Sequence, residues 1–237
     1  MEPRYVRNIP ALTEEEWKLL QSRRILVVGC GGLGGHLIDM LARIGVGALR
    51  VVDGDVFEPS NLNRQLLSQV ALLGMNKAAA AAHHVAQVNP LIPVEAVEQF
   101  LTEENVHSLV ASCDIVLDGL DQIHARKVLA AECKKAGVPL VYGAVSGWVA
   151  QAALCAPGDD LIEKLYPPGT VLRGKSVLSF TPALCAAMQV SLCVQFLTGR
   201  SVKNGTVYYF DLSNQEFESI PILDCQVKCN TVSKKTS

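Results

Sequence analysis

The sequence predicts an α/β fold: a Rossmann-like, mostly parallel sheet with flanking helices and a C-terminal part that adds antiparallel strands. Three observations carry that expectation. Short apolar, β-branched runs alternate with segments of helical spacing up to about residue 145, the pattern of strand–helix–strand crossovers. The runs are continuously apolar rather than alternating, as in strands covered on both faces. Hydrophobic residues make up 49% of the chain and charged residues 19%, which suits such a sheet and leaves apolar surface for a subunit contact.

The elements follow in order. Thr13-Glu14-Glu15-Glu16 forms a capping box ahead of Trp17, Leu19 and Leu20, so a short helix is expected there. Arg24 to Val28 reads as a buried strand ending at Gly29, and a glycine-rich turn leads to a helix over 36–44. Gly45 and Gly47 stop that helix before a strand over 49–52, which ends at Asp53. The alanine-rich stretch 76–88 is helical, 94–100 a strand, Thr102 the start of a short helix, and 115–117 a strand ending at Asp118. A helix over 123–135 is closed by Gly137 and followed by a strand over 140–142. Beyond Gly143 the expectations are a strand over 148–154, a long loop over 156–176, a helix over 182–197, and strands over 206–210 and 216–220. The polar, basic tail after Asn230 is expected to be disordered.

A chain of 237 residues can bury one substantial core. A net charge of -2 gives no basic field for nucleic acid or an anionic membrane. The opening residues carry Glu2, Arg4 and Arg7 with no apolar stretch behind them, so no secretory leader is expected. The longest apolar segment, 183–197, is broken by Gln189, Ser191 and Gln195 and reads as a buried helix. Cysteines scattered through apolar segments point to reduced thiols and a cytoplasmic location.

Gly29-Cys30-Gly31-Gly32-Leu33-Gly34 matches G-x-G-x-x-G between a strand and a helix. Such glycines allow close backbone approach, and the helix start offers free N–H groups to an anion. Gly29, Gly31, Gly32 and Gly34 are therefore candidate nucleotide-binding positions, and Asp53 is placed to accept from ribose hydroxyls. NAD and ATP both fit this much. Arg64 and Lys77, with Asp121 after the strand ending at Asp118, put cations and a carboxylate at the carboxyl ends of parallel strands, which suits a triphosphate with magnesium.

Together these segments resemble the ThiF/MoeB/HesA family. The matching stretches are Arg4-Tyr5-Val6-Arg7-Asn8, the glycine turn, Asp53-Gly54-Asp55, Ser60-Asn61-Leu62-Asn63-Arg64-Gln65, Gly74-Met75-Asn76-Lys77, Asp118-Gly119-Leu120-Asp121-Gln122 and Pro139 to Ala144. The resemblance extends over roughly residues 4–222. It implies a homodimeric enzyme that uses ATP and Mg2+ to adenylate the C-terminal Gly-Gly carboxylate of a ubiquitin-like sulfur carrier (ThiS- or MoaD-like), releasing pyrophosphate. Carried over by position, Gly32 lies under the phosphates, Asp53 holds the ribose, and Asn61, Arg64 and Lys77 contact phosphates. Asp121 positions magnesium with Gln122 beside it, and Arg7 reaches the phosphates of the neighbouring subunit. One domain over 1–230 is implied, with a nucleotide-binding half near 22–145 and a carrier-binding part near 146–222.

Two departures refine this. Relatives that bind zinc use paired C-x-x-C motifs, whereas here the first region reads Cys155-Ala156-Pro157-Gly158 and the second Cys225 to Cys229, so zinc is not expected. No cysteine lies in the 156–176 loop, and Cys185 reads as core, so activation without a covalent enzyme–carrier intermediate is expected. Sulfur would then come from a separate donor such as a cysteine desulfurase. Two alternatives remain at this stage: a tRNA-modifying adenylating relative, and an NAD-binding oxidoreductase or module.

Overall fold

The computed structural model describes residues 2–171 and 176–222. Cys225, Cys229, the tail and residues 172–175 of the expected loop lie outside the described residues.

The expected alternation is present. In chain order the elements are α1 (Glu14–Gln21), β1 (Arg24–Val28), α2 (Gly32–Ile44), β2 (Ala48–Val52), α3 (Lys77–Val88), β3 (Val94–Val97), α4 (Val106–Val110), β4 (Ile115–Asp118) and α5 (Ile123–Ala136). They continue with β5 (Leu140–Ser146), β6 (Val149–Cys155), α6 (Leu161–Leu165), α7 (Phe180–Leu197), β7 (Thr206–Asp211) and β8 (Glu216–Pro221). The strands form one sheet in the order β3-β2-β1-β4-β5-β6-β7-β8. Pairings from β3 through β5 are parallel, and those from β5 to β8 are antiparallel. The sheet is mixed, as the sequence predicts.

Successive side chains of a strand point to opposite faces. Ile25 and Val27 of β1 join the core under α2, α3 and α7, while Leu26 and Val28 join the one under α4, α5 and α6. This explains why β1 is apolar at each position from Ile25 to Val28. Helix α7 is the one described helix long and apolar enough to span a bilayer, yet 56% of it is buried inside the protein, against α2, β5 and β6.

Several boundaries differ from the sequence reading, each for a local reason. Helix α2 begins at Gly32, inside the glycine turn. Helix α4 starts at Val106 because the residues before it form a closed turn: the Thr102 N–H donates to Asn105 Oδ1, and the Asn105 N–H to Thr102 Oγ1. Strand β3 stops at Val97, whereas β5 runs on to Ser146 because antiparallel pairing with β6 continues to the Ser146–Val149 pair. The segment expected as loop contains α6, whose Leu161 and Ile162 are buried. The Thr13 capping box and the left-handed Gly137 cap are present as expected.

Strand order reverses between β1 and β4. In open α/β sheets, ligands bind beyond the strand carboxyl ends at that switch point. The glycine turn, Asp53 and Asp118 all lie there.

Candidate active site

The turn after β1 is built by close backbone approach. Gly29 has φ of +89°, and a Cβ there would meet the Gly119 carbonyl oxygen at 2.6 Å. Gly34 packs on Gly29 itself, so the first turn of α2 lies hard against the strand end. Gly31 precedes α2 without a side-chain cap, leaving its first N–H groups free to meet an anion.

Asp53, at the end of β2, is held by backbone. Its Oδ2 accepts from the Cys30 N–H at 2.7 Å and its Oδ1 from the Asp55 N–H at 2.9 Å. Burial pushes its carboxyl above the usual range, and those N–H donors offset part of the rise. Asn76 caps α3 by accepting from Ala78 and Ala79 and donates to the Asp53 carbonyl, which brings Lys77 beside this corner. Lys77 is 6% exposed and pairs with Asp55. For Asp55, burial raises the carboxyl, but the bond from Lys77, the bond from the Val56 N–H and the Lys77 charge together outweigh it, and the net direction is down. The ammonium of Lys77 is thus desolvated and held by a half-exposed carboxylate.

The segment after β2 roofs the glycine turn. Arg64 lies over Gly32, its Cγ 3.6 Å from where a Cβ would stand, and its Nη1 donates to Ser60 O and Asn63 Oδ1 at 2.9 Å each. Gln65 covers Gly31, is 7% exposed, and its Oε1 has no protein partner. Asn61 is buried, and its Oδ1 accepts from the Glu58 N–H, so part of its amide is committed to its own turn. Beside Arg64 opens a cleft of about 360 Å³ between Ser60 and Asn63 on one side and Trp148, Ser176 and Leu178 on the other. The Trp148 and Phe180 rings, 5.1 Å apart, are both exposed on this side of the protein.

After β4, Asp121 and Gln122 are exposed, and Gln122 occupies the N-cap of α5 without making a capping bond. Both side chains are therefore open to a ligand. Beneath them, fully buried Asp118 accepts from Arg126 Nε at 2.6 Å. Complete burial pushes the Asp118 carboxyl upward, with Arg126 opposing.

The arrangement is a glycine turn, a strand-end carboxylate, desolvated Lys77, Arg64 and an open carboxylate around one switch point. The ThiF family matches residues 5–231. This chain belongs to the ThiF family.

Within that family it is 37% identical over 224 residues to a SAMP-activating enzyme E1 of Haloferax volcanii, covering 90% of this chain and 83% of that protein. It is 30% identical to the sulfur carrier protein ThiS adenylyltransferase of Bacillus subtilis over 84% of this chain, and spans 61% of that relative's length. The crystal structure of E. coli MccB matches 99% of this chain and 74% of its own at a TM-score of 0.80, with 19% identity, a likeness of fold. Like its ThiF relatives, this chain is an adenylyltransferase, which sets aside the oxidoreductase alternative.

A magnesium–nucleotide group fits these residues in kind. The glycine turn leaves room for phosphates, and one open carboxylate is what magnesium uses when phosphates and water fill its other positions. Among the described residues no His, Cys, Asp or Glu side chains form a cluster of three or more able to hold a metal on their own.

Of the expected ThiF site residues, Gly29, Gly31, Gly32, Gly34, Asp53, Asn61, Arg64, Lys77, Asp121 and Gln122 come together at the switch point. Arg7 does not. It is exposed in a 3-10 turn (Pro3–Asn8) that docks at the other end of α2, where the Tyr5 ring lies against Gly45 and Asn8 Nδ2 donates to Ile44 O. A 13-residue helix, about 20 Å long, separates that end from the glycine turn.

The sequence does not mark Arg126, Tyr166 or Gln189 as site residues. Arg126, Leu129 and Cys133 all face inward at helical spacing on α5, so a charge on a buried stripe was the available signal. Gln189 Nε2 donates to Asp118 O and Val141 O, contacts that a lone polar residue in an apolar run does not disclose.

Proposed function

We propose that this chain uses ATP and magnesium to adenylate the C-terminal Gly-Gly carboxylate of a ubiquitin-like sulfur carrier of the ThiS or MoaD kind. In the reaction a carrier carboxylate oxygen bonds to the α-phosphorus, the bond from that phosphorus to the bridging oxygen breaks, and pyrophosphate leaves with the electron pair. Two anions must be brought together, so catalysis is mainly charge neutralisation and alignment. The gathering of Lys77 and Arg64 around the glycine turn, with the Asp53 carboxylate at its edge, is the observation that carries this reading.

Asp53 would accept from the ribose, the free N–H groups before α2 would meet phosphate, and Lys77 and Arg64 would exchange their internal partners for phosphate oxygens. Asp121, with Gln122 beside it, would hold magnesium. The cleft between Asn63 and Trp148 leads toward Arg64 and is the natural bed for an extended Gly-Gly tail. On this reading residues 22–145 serve the nucleotide and 146–222 the carrier.

The described cysteines support activation without an enzyme thioester through them. All six described cysteines are buried. Burial pushes the Cys185 thiol up to about 12, and a protonated, inaccessible thiol is a poor nucleophile. Sulfur would be delivered by a separate donor such as a cysteine desulfurase. Because Arg7 is remote from its own site, a homodimer in which it serves the partner's site completes the proposal.

ATP–pyrophosphate exchange tests it. Exchange should require magnesium and rise on adding a carrier ending in Gly-Gly, and deleting the terminal glycine should abolish the rise. Absence of exchange with every Gly-Gly carrier of the same organism would sink the proposal.

A further inference from the structure

We infer that Arg126 is a positioning residue whose guanidinium ties the turn presenting Asp121 to the loop that leaves α6 for the carrier cleft. The inference rests on the adenylation reading, from which Asp121 and that loop take their roles.

Arg126 is 2% exposed and meets four separate pieces of the fold. Nε donates to Asp118 Oδ2 at the end of β4, and Nη2 donates to the Leu120 carbonyl at 2.6 Å and to Gly143 O on β5 at 2.9 Å. Nη1 donates to the Tyr166 hydroxyl at 2.5 Å. Asp118 closes the turn from the other side, since its Oδ1 accepts from the Leu120 N–H at 2.9 Å. Leu120 is thus held at both its N–H and its carbonyl by one ion pair, and Asp121 is the next residue.

The chain of donors beyond Arg126 has one direction. A guanidinium only donates, so Tyr166 accepts from it; and because the Tyr142 hydroxyl gives its one hydrogen to Gln151, Tyr166 donates its O–H to Tyr142, 2.7 Å away. Tyr142 in turn donates to Gln151 Oε1 at 3.2 Å. Both tyrosine rings also lie near the cation, at 4.9 and 5.3 Å from its carbon. Tyr166 directly follows α6, and the chain then runs through Pro167 to Val171, with Ser176 and Leu178 further on lining the cleft.

A buried ion pair is a costly way to hold a fold, because an apolar replacement of similar volume is often as stable or more so. What the pair supplies here is direction. It links the stem of the cleft loop to the placement of a single carboxylate at the switch point.

Tyr166→Phe removes the Nη1 acceptor while keeping the ring. Amide hydrogen exchange at Leu120, in the full chain without ligands, should quicken by about threefold or more while the thermal midpoint moves by no more than about 3 °C. In exchange assays with a Gly-Gly carrier, the magnesium concentration for half-maximal rate should rise about tenfold, with less change in the KM for ATP. Arg126→Lys keeps the charge but loses the fork and should shift both readouts in the same direction. If Arg126→Lys does not fold, Tyr166→Phe still decides. Unchanged Leu120 exchange in folded Tyr166→Phe overturns the inference, as does faster exchange with an unmoved magnesium dependence. If the wild type shows no adenylation, that reading fails separately, while the Leu120 measurement still tests the grip.

Discussion

A Cβ placed on Gly34 would lie 1.7 Å from the carbonyl oxygen of Gly29. Helix α2 can pack its first turn on the backbone at the end of β1 only because Gly34 has no side chain. Alanine is about 1 kcal/mol better than glycine inside a helix, so propensity alone would favour Gly34→Ala. The clash is with rigid backbone and outweighs it. Gly34→Ala should cost about 3 kcal/mol or more, read as the loss in urea unfolding free energy. A neutral or stabilised variant would contradict the close approach.

Lys77→Met should lower ATP–pyrophosphate exchange about 100-fold or more, since single members of preorganised charge clamps carry several kcal/mol. Asp55, left without its partner, is half exposed and can be hydrated, so the fold should survive. Circular dichroism and the exchange rate together check this, and retention of full activity would remove Lys77 from the site.

Gly143 is packed under the Gln189 amide, whose atoms come within 2.2 Å of a built Cβ. Gly143→Ala should destabilise by about 2 kcal/mol through overpacking. Gln189→Ala removes the amide that the new Cβ meets, so the double variant should lose less stability than the sum of the two single losses, while the cost of leaving Asp118 O and Val141 O without that donor remains. A double-mutant cycle on thermal unfolding measures the coupling.

Glu16 joins α1 to the end of α7 through Arg200, which donates to both of its carboxylate oxygens. The Arg200 side chain, followed by the Thr13 N–H, lowers the Glu16 carboxyl to about 2 from 4.5. A depressed carboxyl adds stability in full above its unfolded value and loses it as pH falls through the folded value. The thermal-midpoint difference between wild type and Arg200→Ala should thus be constant above about pH 5 and shrink between pH 4.5 and 2. A difference that does not vary with pH would count against the pair.

Arg7→Ala and Arg64→Ala should each be inactive alone. Mixed in equal amounts and allowed to exchange subunits, they should recover roughly a quarter of wild-type activity, since half the dimers then carry one intact site. No recovery would keep Arg7 out of the partner's site.

The glycine turn and Asp53 were legible in the sequence because each answers a local backbone demand next to a recognisable strand. Helix boundaries near Thr102 and Leu161 were not, since side-chain capping and a few buried leucines decide them. The Arg126 cluster was hidden for a different reason. Its acceptors come from β4, β5 and the end of α6, as far as 40 residues away in sequence, and only the folded sheet brings them together. Sequence spacing exposes contacts within a turn or helix, but not those made across strands.

Helix α7 lies against both α2 and β6, so its apolar face is shared by the helix that follows the glycine turn and by a strand of the antiparallel half of the sheet. The protein therefore resists dissection. A fragment ending near residue 145 would lay Leu37, Ile38 and Leu41 open to water, and would call for a solubilising partner before it could be studied as a nucleotide-binding unit on its own.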